Sequence, residues 1–463
     1  MSNPRHASWH HVWAIAAFAT LAFPSIADAH PRLKRSSPSA GERLAVAPAF
    51  LRFWFSEVPE LKLTSLTVVD GAGHSIALGA VQRDTADKFG VFAAVLTPLA
   101  PGAHTAKWRT AAADGHPTEG TVTFTVLPSA AAASPVPDSF ATRAVTSHGR
   151  ADTATKLGDA GTPQGFAYVA ARTLSFASLL IVIGAVLFRF AVLRRALADV
   201  DLSARISRAV ASVGGGAAVA LALADVGKLA LQVQLLNSGD PSQAISAAVL
   251  VGSTRWGFAW LVQIVGAVLA WAAFRSARRS PSWWAAAAPV ALVLSISPAL
   301  AGHAISAPRL TPLAVAADTG HVIGASGWMG SLLVMSVVAI PLIVSVGGKD
   351  RWHNIASLVN AFSPTALAFA TLLGLTGLFS AWLHVGSLSA LMTSDYGRTL
   401  LLKLIVLVLL AATGAYNWRR VRPVLGTPEA TARLRKTALA EIAVGAVVIC
   451  ITAVLVATEP PIQ

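Results

Sequence analysis

Eight apolar stretches of roughly membrane-spanning length, near residues 166–188, 209–236, 256–274, 283–302, 318–346, 361–384, 399–418 and 437–458, decide most of what this chain can become. About 20 apolar residues suffice to cross a bilayer as a helix, and a helix satisfies its own backbone hydrogen bonds where no water can. Residues 166–463 are therefore expected to form an all-α polytopic membrane domain of about eight transmembrane helices. With 54% hydrophobic and 13% charged residues in a chain of 463, a wholly soluble protein is excluded.

The net charge of +14 would suit a nucleic-acid binder if the basic residues formed one patch. They follow the loops instead. Alternate loops carry Arg189, Arg194, Arg195, Arg205 and Arg208, then Arg275, Arg278 and Arg279, then Lys349 and Arg351, then Arg419, Arg420, Arg422, Arg433, Arg435 and Lys436. The loops between them hold only Arg255, Arg309 and Arg398. By the positive-inside rule the first set is cytoplasmic and both ends of the helical domain lie outside. The lipid bilayer is then the expected partner, and no nucleic acid. No GxxxxGK[ST] phosphate loop points to ATP hydrolysis. A single cysteine, Cys450, excludes an internal disulfide, a CxxC pair and a multi-thiolate metal site.

The N-terminal third has a different grammar. Residues 1–29 combine Arg5, an apolar run from Val12 to Phe23 and the small-x-small stop Ala27-Asp28-Ala29, which predicts a cleaved signal peptide and a mature chain beginning at His30 outside the cytoplasm. From 30 to 126, strand-like runs such as Phe50-Leu51-Arg52-Phe53-Trp54-Phe55, Leu63 to Val69 and Thr121 to Val126 are separated by turn signals at Asp70-Gly71-Ala72-Gly73 and Pro101-Gly102. This predicts a small all-β antiparallel sandwich. Residues 127–165, rich in Ala, Ser, Thr, Pro and Gly, read as a flexible linker that lets the β module move relative to the helices.

The sharpest candidate chemistry sits at the new terminus. The α-amine and imidazole of His30 can chelate one metal ion, and Asp114-Gly115-His116 supplies a carboxylate and a second imidazole. Such nitrogen and oxygen donors suit Cu(II). Pro31 has no amide proton, so the amine and side chains must carry the site. The same residues also fit a frayed terminus and a surface turn, and spacing alone favours that plainer reading.

His30-Pro31-Arg32-Leu33-Lys34-Arg35-Ser36-Ser37-Pro38-Ser39-Ala40-Gly41, the strand Phe53-Trp54-Phe55-Ser56-Glu57, and Asp114-Gly115-His116-Pro117 together resemble the periplasmic copper-binding CopC family, over nearly the whole β module. The resemblance implies an Ig-like Greek-key sandwich and a Cu(II) site made by His30, Asp114 and His116. Two departures are Pro31, where members often have Ala, and the missing Met-rich segment, since the mature chain holds only Met329, Met335 and Met392. One Cu(II) site and no Cu(I) site is expected in this module, with His74 and His104 facing solvent.

The helical part is similar to the CopD family, through Gly302-His303-Ala304, Asp318 and His321 ahead of Gly327-Trp328-Met329-Gly330, Tyr396-Gly397-Arg398, Lys403, Asn417, Glu441 and Pro460-Pro461. The resemblance implies a CopC/CopD fusion in a bacterial inner (plasma) membrane, its N-terminal domain periplasmic, associated with copper uptake. In the charge-derived topology His303, Asp318, His321 and His384 lie near the outer ends of helices four to six. Asp318 and His321 share a helix face. Met329 and Met335 follow on about the same half of helix five, where thioethers suit Cu(I), although methionine is also an ordinary core filler. Asp225 and Lys228 either neutralise each other in the bundle or mark function.

The expectation is thus a copper homeostasis or resistance protein, not an enzyme, that binds Cu(II) outside and carries copper inward, with a periplasmic copper chaperone or reductant as partner. Three alternatives remain at this stage. A haem-binding electron carrier would use two of His303, His321 and His384. A periplasmic copper buffer would bind without transport. An oxidative copper enzyme would share the terminal-histidine chelate, but a module of this size, tethered to a polytopic domain, favours transport.

Overall fold

Apolar residues at every second position give the first domain its strands, because a pleated strand turns alternate side chains to one face. In the computed structural model, which describes residues 32–112, 115, 117–128, 165–238, 244–302, 310–346, 348–385 and 387–458, nine strands precede the helices. They are β1 (Leu33–Ser37), β2 (Arg43–Leu44), β3 (Phe50–Phe55), β4 (Ser65–Asp70), β5 (Ser75–Ile76), β6 (Gln82–Arg83), β7 (Gly90–Ala94), β8 (Gly102–Ala111) and β9 (Pro117–Val126). One sheet runs β1-β3-β7-β6 and the other β2-β9-β8-β4-β5, with β2 parallel to β9 and every other pair antiparallel. Leu51, Phe53 and Phe55 of the first sheet meet Val68, Trp108, Val122 and Phe124 of the second in one apolar core. Phe55 and Trp108 sit edge-to-face with centroids 5.1 Å apart.

His104 departs from the sequence expectation. It is only 2% exposed: strand parity turns His104, Ala106, Trp108 and Thr110 of β8 inward together. Its Nε2 donates to the Ala100 carbonyl at 2.8 Å and its ring stacks on Phe124 at 5.6 Å. His74 is exposed, as expected. The Asp70 carboxylate beside it accepts from the backbone N–H groups of Ala72 and His74 and lies 3.1 Å from the His74 ring. Those bonds, the His74 N–H foremost, hold the Asp70 carboxyl below the ordinary carboxylate range.

Among the described residues, eight helices long and apolar enough to span a membrane follow: α1 (Phe166–Ala196), α2 (Val200–Leu236), α3 (Arg255–Ala277), α4 (Pro281–Leu300), α5 (Thr311–Val346), α6 (Arg351–Val385), α7 (Asp395–Val424) and α8 (Pro428–Leu455). Several begin at side-chain caps. Asp199 accepts from Leu202 N–H, Thr254 from Gly257, Ser394 from Gly397 and Thr427 from Ala430. Hence α2 and α8 start nine residues before their apolar stretches, on polar turns that hydropathy does not mark. α1 and α5 form the centre, whereas the apolar window of α6 is outward-facing. Leu223, Leu378 and Val408, each about two-thirds exposed, present the apolar outer surface a bilayer requires.

α1 and α5 cross with their backbones almost touching. A Cβ on Gly184 would lie 2.6 Å from the backbone of Gly330, so glycine is required on both sides of this crossing. Gly184→Leu is expected to destabilise the detergent-purified protein by at least about 1–3 kcal/mol through overpacking. Gly374→Leu, where nothing lies within 4 Å, serves as control. Equal thermal midpoints for the two variants would show that the crossing is not tight.

Candidate functional site

The chain brings the flanks of the expected copper ligands to one end of the sandwich. Arg32 N–H donates to Ser56 Oγ at 3.0 Å while Ser56 N–H returns a bond to the Arg32 carbonyl at 2.9 Å. Four residues on, Glu60 N–H donates to the Ala111 carbonyl at 2.8 Å, where β8 ends. Four residues span at most about 14 Å, so Arg32, two positions after His30, is pinned close to the turn that follows β8. His30, Asp114 and His116 themselves lie outside the described residues, as do the signal peptide and nearly all of the linker. Gly115, between two of the expected ligands, is described. It closes a turn through its N–H to Ala112 O at 2.9 Å with φ +78°, a left-handed conformation that glycine adopts without strain.

That end of the sandwich rests on the helices. The Gly115 carbonyl accepts from Gln232 Nε2 at 2.6 Å, and a Cβ there would lie 3.1 Å from both Gln232 and Trp256. Arg109 Nη2 donates to the Leu236 carbonyl at 2.6 Å, satisfying an acceptor left open at the α2 C-terminus. Glu60 approaches Arg255 at 3.8 Å, and Leu63 and Ala111 share an apolar cluster with Leu236, Leu250 and Trp256. In this arrangement the β module is seated on the bundle rather than free of it. No local sequence pattern announces a contact assembled from residues so far apart along the chain.

Beneath Gly115 a polar ladder descends between α1, α2 and α3. Tyr168 OH donates to Gln232 Oε1 at 2.6 Å, and the Arg172 guanidinium stacks 4.7 Å from the Tyr168 ring while donating to the Ala453 carbonyl. One turn deeper, Lys228 Nζ sits 2.8 Å from Asp225 Oδ1, 3.2 Å from Ser175 Oγ and 3.3 Å from Gln263 Oε1. Asp225 is fully buried. Its Oδ1 also accepts from Ser175 at 3.1 Å, and its Oδ2 has no hydrogen-bond partner. Gln232 and Asp225 are seven residues apart on α2, so the ladder reaches about 10 Å below the docked turn. Leu179 and Val182, beyond Ser175 along α1, and Leu221, beyond Asp225 along α2, are buried apolar side chains.

A second cluster occupies the same end of the other helices. Asp318 and His321 lie in the first turns of α5, His384 at the end of α6, and Tyr396 and Lys403 in the first turns of α7. Asp318 is within electrostatic reach of His384, Lys403 and Tyr396. His321 Nδ1 is 3.2 Å from Thr376 Oγ1, its ring packed on Gly377, and His384 Nδ1 donates to the Ser380 carbonyl at 2.7 Å. His303 lies outside the described residues. Among those described, no three His, Cys, Asp or Glu side chains are grouped to hold a metal ion together. Met335 is buried in the main apolar core, and Met329 fills the notch over Gly445.

The CopC domain model matches residues 33–127, the model for the N-terminal domain of Copper resistance protein D-like proteins residues 162–308, and that for Copper resistance protein D residues 356–455. The sequence is 33% identical over 107 residues to Copper resistance protein C of Pseudomonas syringae pv. tomato, covering 84% of that protein and 22% of this chain. The chain belongs to the CopC/CopD copper-resistance family. It is also 23% identical to Copper transport protein CutJ of Bacillus subtilis, over 97% of this chain and 78% of that one. Among solved structures it is similar to PcoC, a methionine-rich copper resistance protein from Escherichia coli, with 29% identity, a TM-score of 0.20, and coverage of 21% of this chain and 99% of that one.

This CopC/CopD protein is therefore a multi-pass copper resistance or transport protein with copper as its ligand. The CopD matches take in α1 to α4 and nearly all of α6 to α8, leaving Asp318 and His321 of α5 between two matched segments. Sequence reasoning singled out Asp225 and Lys228 but missed Tyr168, Arg172, Ser175, Gln232 and Gln263. Their signal was present: polar residues at i, i+4 and i+7 on α1, facing Gln232, Lys228 and Asp225 at the same spacing on α2.

Proposed function

We propose that the CopC module captures periplasmic Cu(II) through the amine and imidazole of His30, the Asp114 carboxylate and the His116 imidazole, and that the CopD-like bundle carries copper inward across the inner membrane. The observation that carries this reading is the seat of Gly115. The residue between two expected ligands bonds to Gln232, the top rung of the only buried polar ladder that the described residues place beneath the module. Metal released from the module meets polar side chains at once, instead of an apolar barrier that would charge the full cost of desolvating an ion. Asp318, His321 and His384 offer donors at the same end of the bundle, with His303 expected to add another from the sequence, and Asp318, three residues from His321, can orient its imidazole.

Copper accumulation in cells tests the reading. At matched protein levels, cells expressing the full chain should hold more copper than cells lacking it, and the His303→Ala/His321→Ala variant should remove the excess. No difference between native chain and empty cells would leave an external buffer or a haem carrier, which an absorbance spectrum distinguishes. Lower copper with the native chain would reverse the direction.

A further inference from the structure

The bundle carries a second polar feature at the opposite end, unconnected with the metal ligands. α2 and the end of α3 flank an open cavity of about 400 Å³ whose lining includes four exposed arginines, Arg208, Arg275, Arg278 and Arg279, and no carboxylate. None of the four belongs to an ion pair among the described residues. Arg208 and Gln232 are 24 residues apart on α2, roughly 36 Å along the axis, so this cavity and the docked module lie on opposite faces of a bilayer.

The cavity opens into a groove that shares Arg275 and Arg278 and continues past Gly215, Gly216, Val219 and Trp271. Along α2 the lining passes from Arg208 through Ser212 to Gly215, Gly216 and Val219. On α3 it passes from Arg278 through Arg275 to Trp271. Both helices thus change from cationic to apolar in the same direction, from the mouth toward the bilayer interior. A Cβ at Gly216 would meet nothing within 4 Å, and Val219 and Trp271 are 44% and 43% exposed. The groove therefore has room, an apolar wall and no protein occupant.

The positive-inside rule accounts for arginines at this end. It does not account for four of them converging without a counter-charge, nor for an apolar groove in line with them. Guanidinium groups bind phosphate oxygens bidentately, and an acyl chain suits a groove of glycine, valine and tryptophan. We infer that α2 and α3 form a binding site for an anionic phospholipid, its phosphate headgroup held by Arg208, Arg275, Arg278 and Arg279 and one acyl chain lying along Gly215, Gly216 and Val219.

The test uses the full chain purified in detergent, titrated with phosphatidylglycerol, cardiolipin, phosphatidylcholine or inorganic phosphate, with binding read by native mass spectrometry and thermal midpoint. Phosphatidylglycerol or cardiolipin should be retained and should raise the midpoint; phosphatidylcholine and inorganic phosphate should not. Arg275→Gln/Arg278→Gln should weaken anionic-lipid retention about 25-fold, about fivefold for each basic residue. Gly216→Leu should weaken it with no change of charge, which separates the site from general electrostatics. Arg433→Gln/Arg435→Gln removes the same charge from equally exposed positions that do not line the cavity and should leave retention intact. Equal losses in the two arginine pairs, equal retention of phosphatidylcholine, unchanged retention in Gly216→Leu, or full protection by inorganic phosphate alone would each overturn the inference.

Discussion

Cu(II) binding by the full, correctly processed chain is expected to weaken by more than about 100-fold when His116 is replaced by alanine. Residues that merely orient a metal ligand already contribute about 10–100-fold in affinity, and His116 is expected to donate directly. Adding one residue before His30 should do comparable damage without removing any side chain, because the α-amine moves out of the chelate ring that it forms with its own imidazole. The pair of variants separates a terminal site from an ordinary two-histidine site, which would tolerate the extension. The pH dependence has a definite sign. Amine and imidazole bind metal only when deprotonated, with ordinary pKa values of about 7.7–8.0 and about 6.5, so affinity should fall as pH is lowered from 8 to 6. Competition against a chromophoric chelator measures all three effects. Unchanged affinity in the His116→Ala variant removes His116 from the site, and unchanged affinity in the extended chain removes the His30 amine; either outcome overturns the proposed terminal site.

What the sequence disclosed follows from which forces act locally. Lipid imposes a long apolar run on every spanning helix, so all eight were legible. The starts of α2 and α8 were not, because Asp199 and Thr427 cap them through side-chain bonds that leave no trace in hydropathy. In the β module the strand Phe50–Phe55 was read at its true limits, yet His104 was assigned to the wrong face. A lone histidine does not declare strand parity, whereas the series His104, Ala106, Trp108 does once Trp108 is taken as core. The seat of the module was beyond reach in principle: Gly115 and Gln232 are 117 residues apart and meet only because two domains with separate cores pack together. His321 and His384 fall with Asp318 at one end of the bundle, but the distances between them depend on helix rotation, which hydropathy does not encode.

Asp225→Asn is expected to cost about 3–5 kcal/mol, the range found when one partner of a buried ion pair is removed. Lys228, 15% exposed, would keep Ser175 and Gln263 as hydrogen-bond partners but lose the charge that neutralises it at 2.8 Å. Lys228→Met should cost a similar amount, because it strands a fully buried carboxylate whose Oδ2 already has no partner. The double variant Asp225→Asn/Lys228→Met should recover most of the stability, since neutral side chains of similar volume commonly replace a buried pair without loss. The cycle isolates the coupling between the two residues, and it also divides structure from function. A pair that only neutralises itself predicts native copper accumulation in the stable double variant. A ladder that carries the cation from Gly115 into the bundle predicts a well-folded protein that accumulates none, because a positive ion moving down from Gln232 would find no carboxylate at the lowest rung. The second outcome is expected: the carboxylate stands about 10 Å below the seat of the ligand turn, on the helix that turn touches, and one of its two oxygens is already open to a new partner.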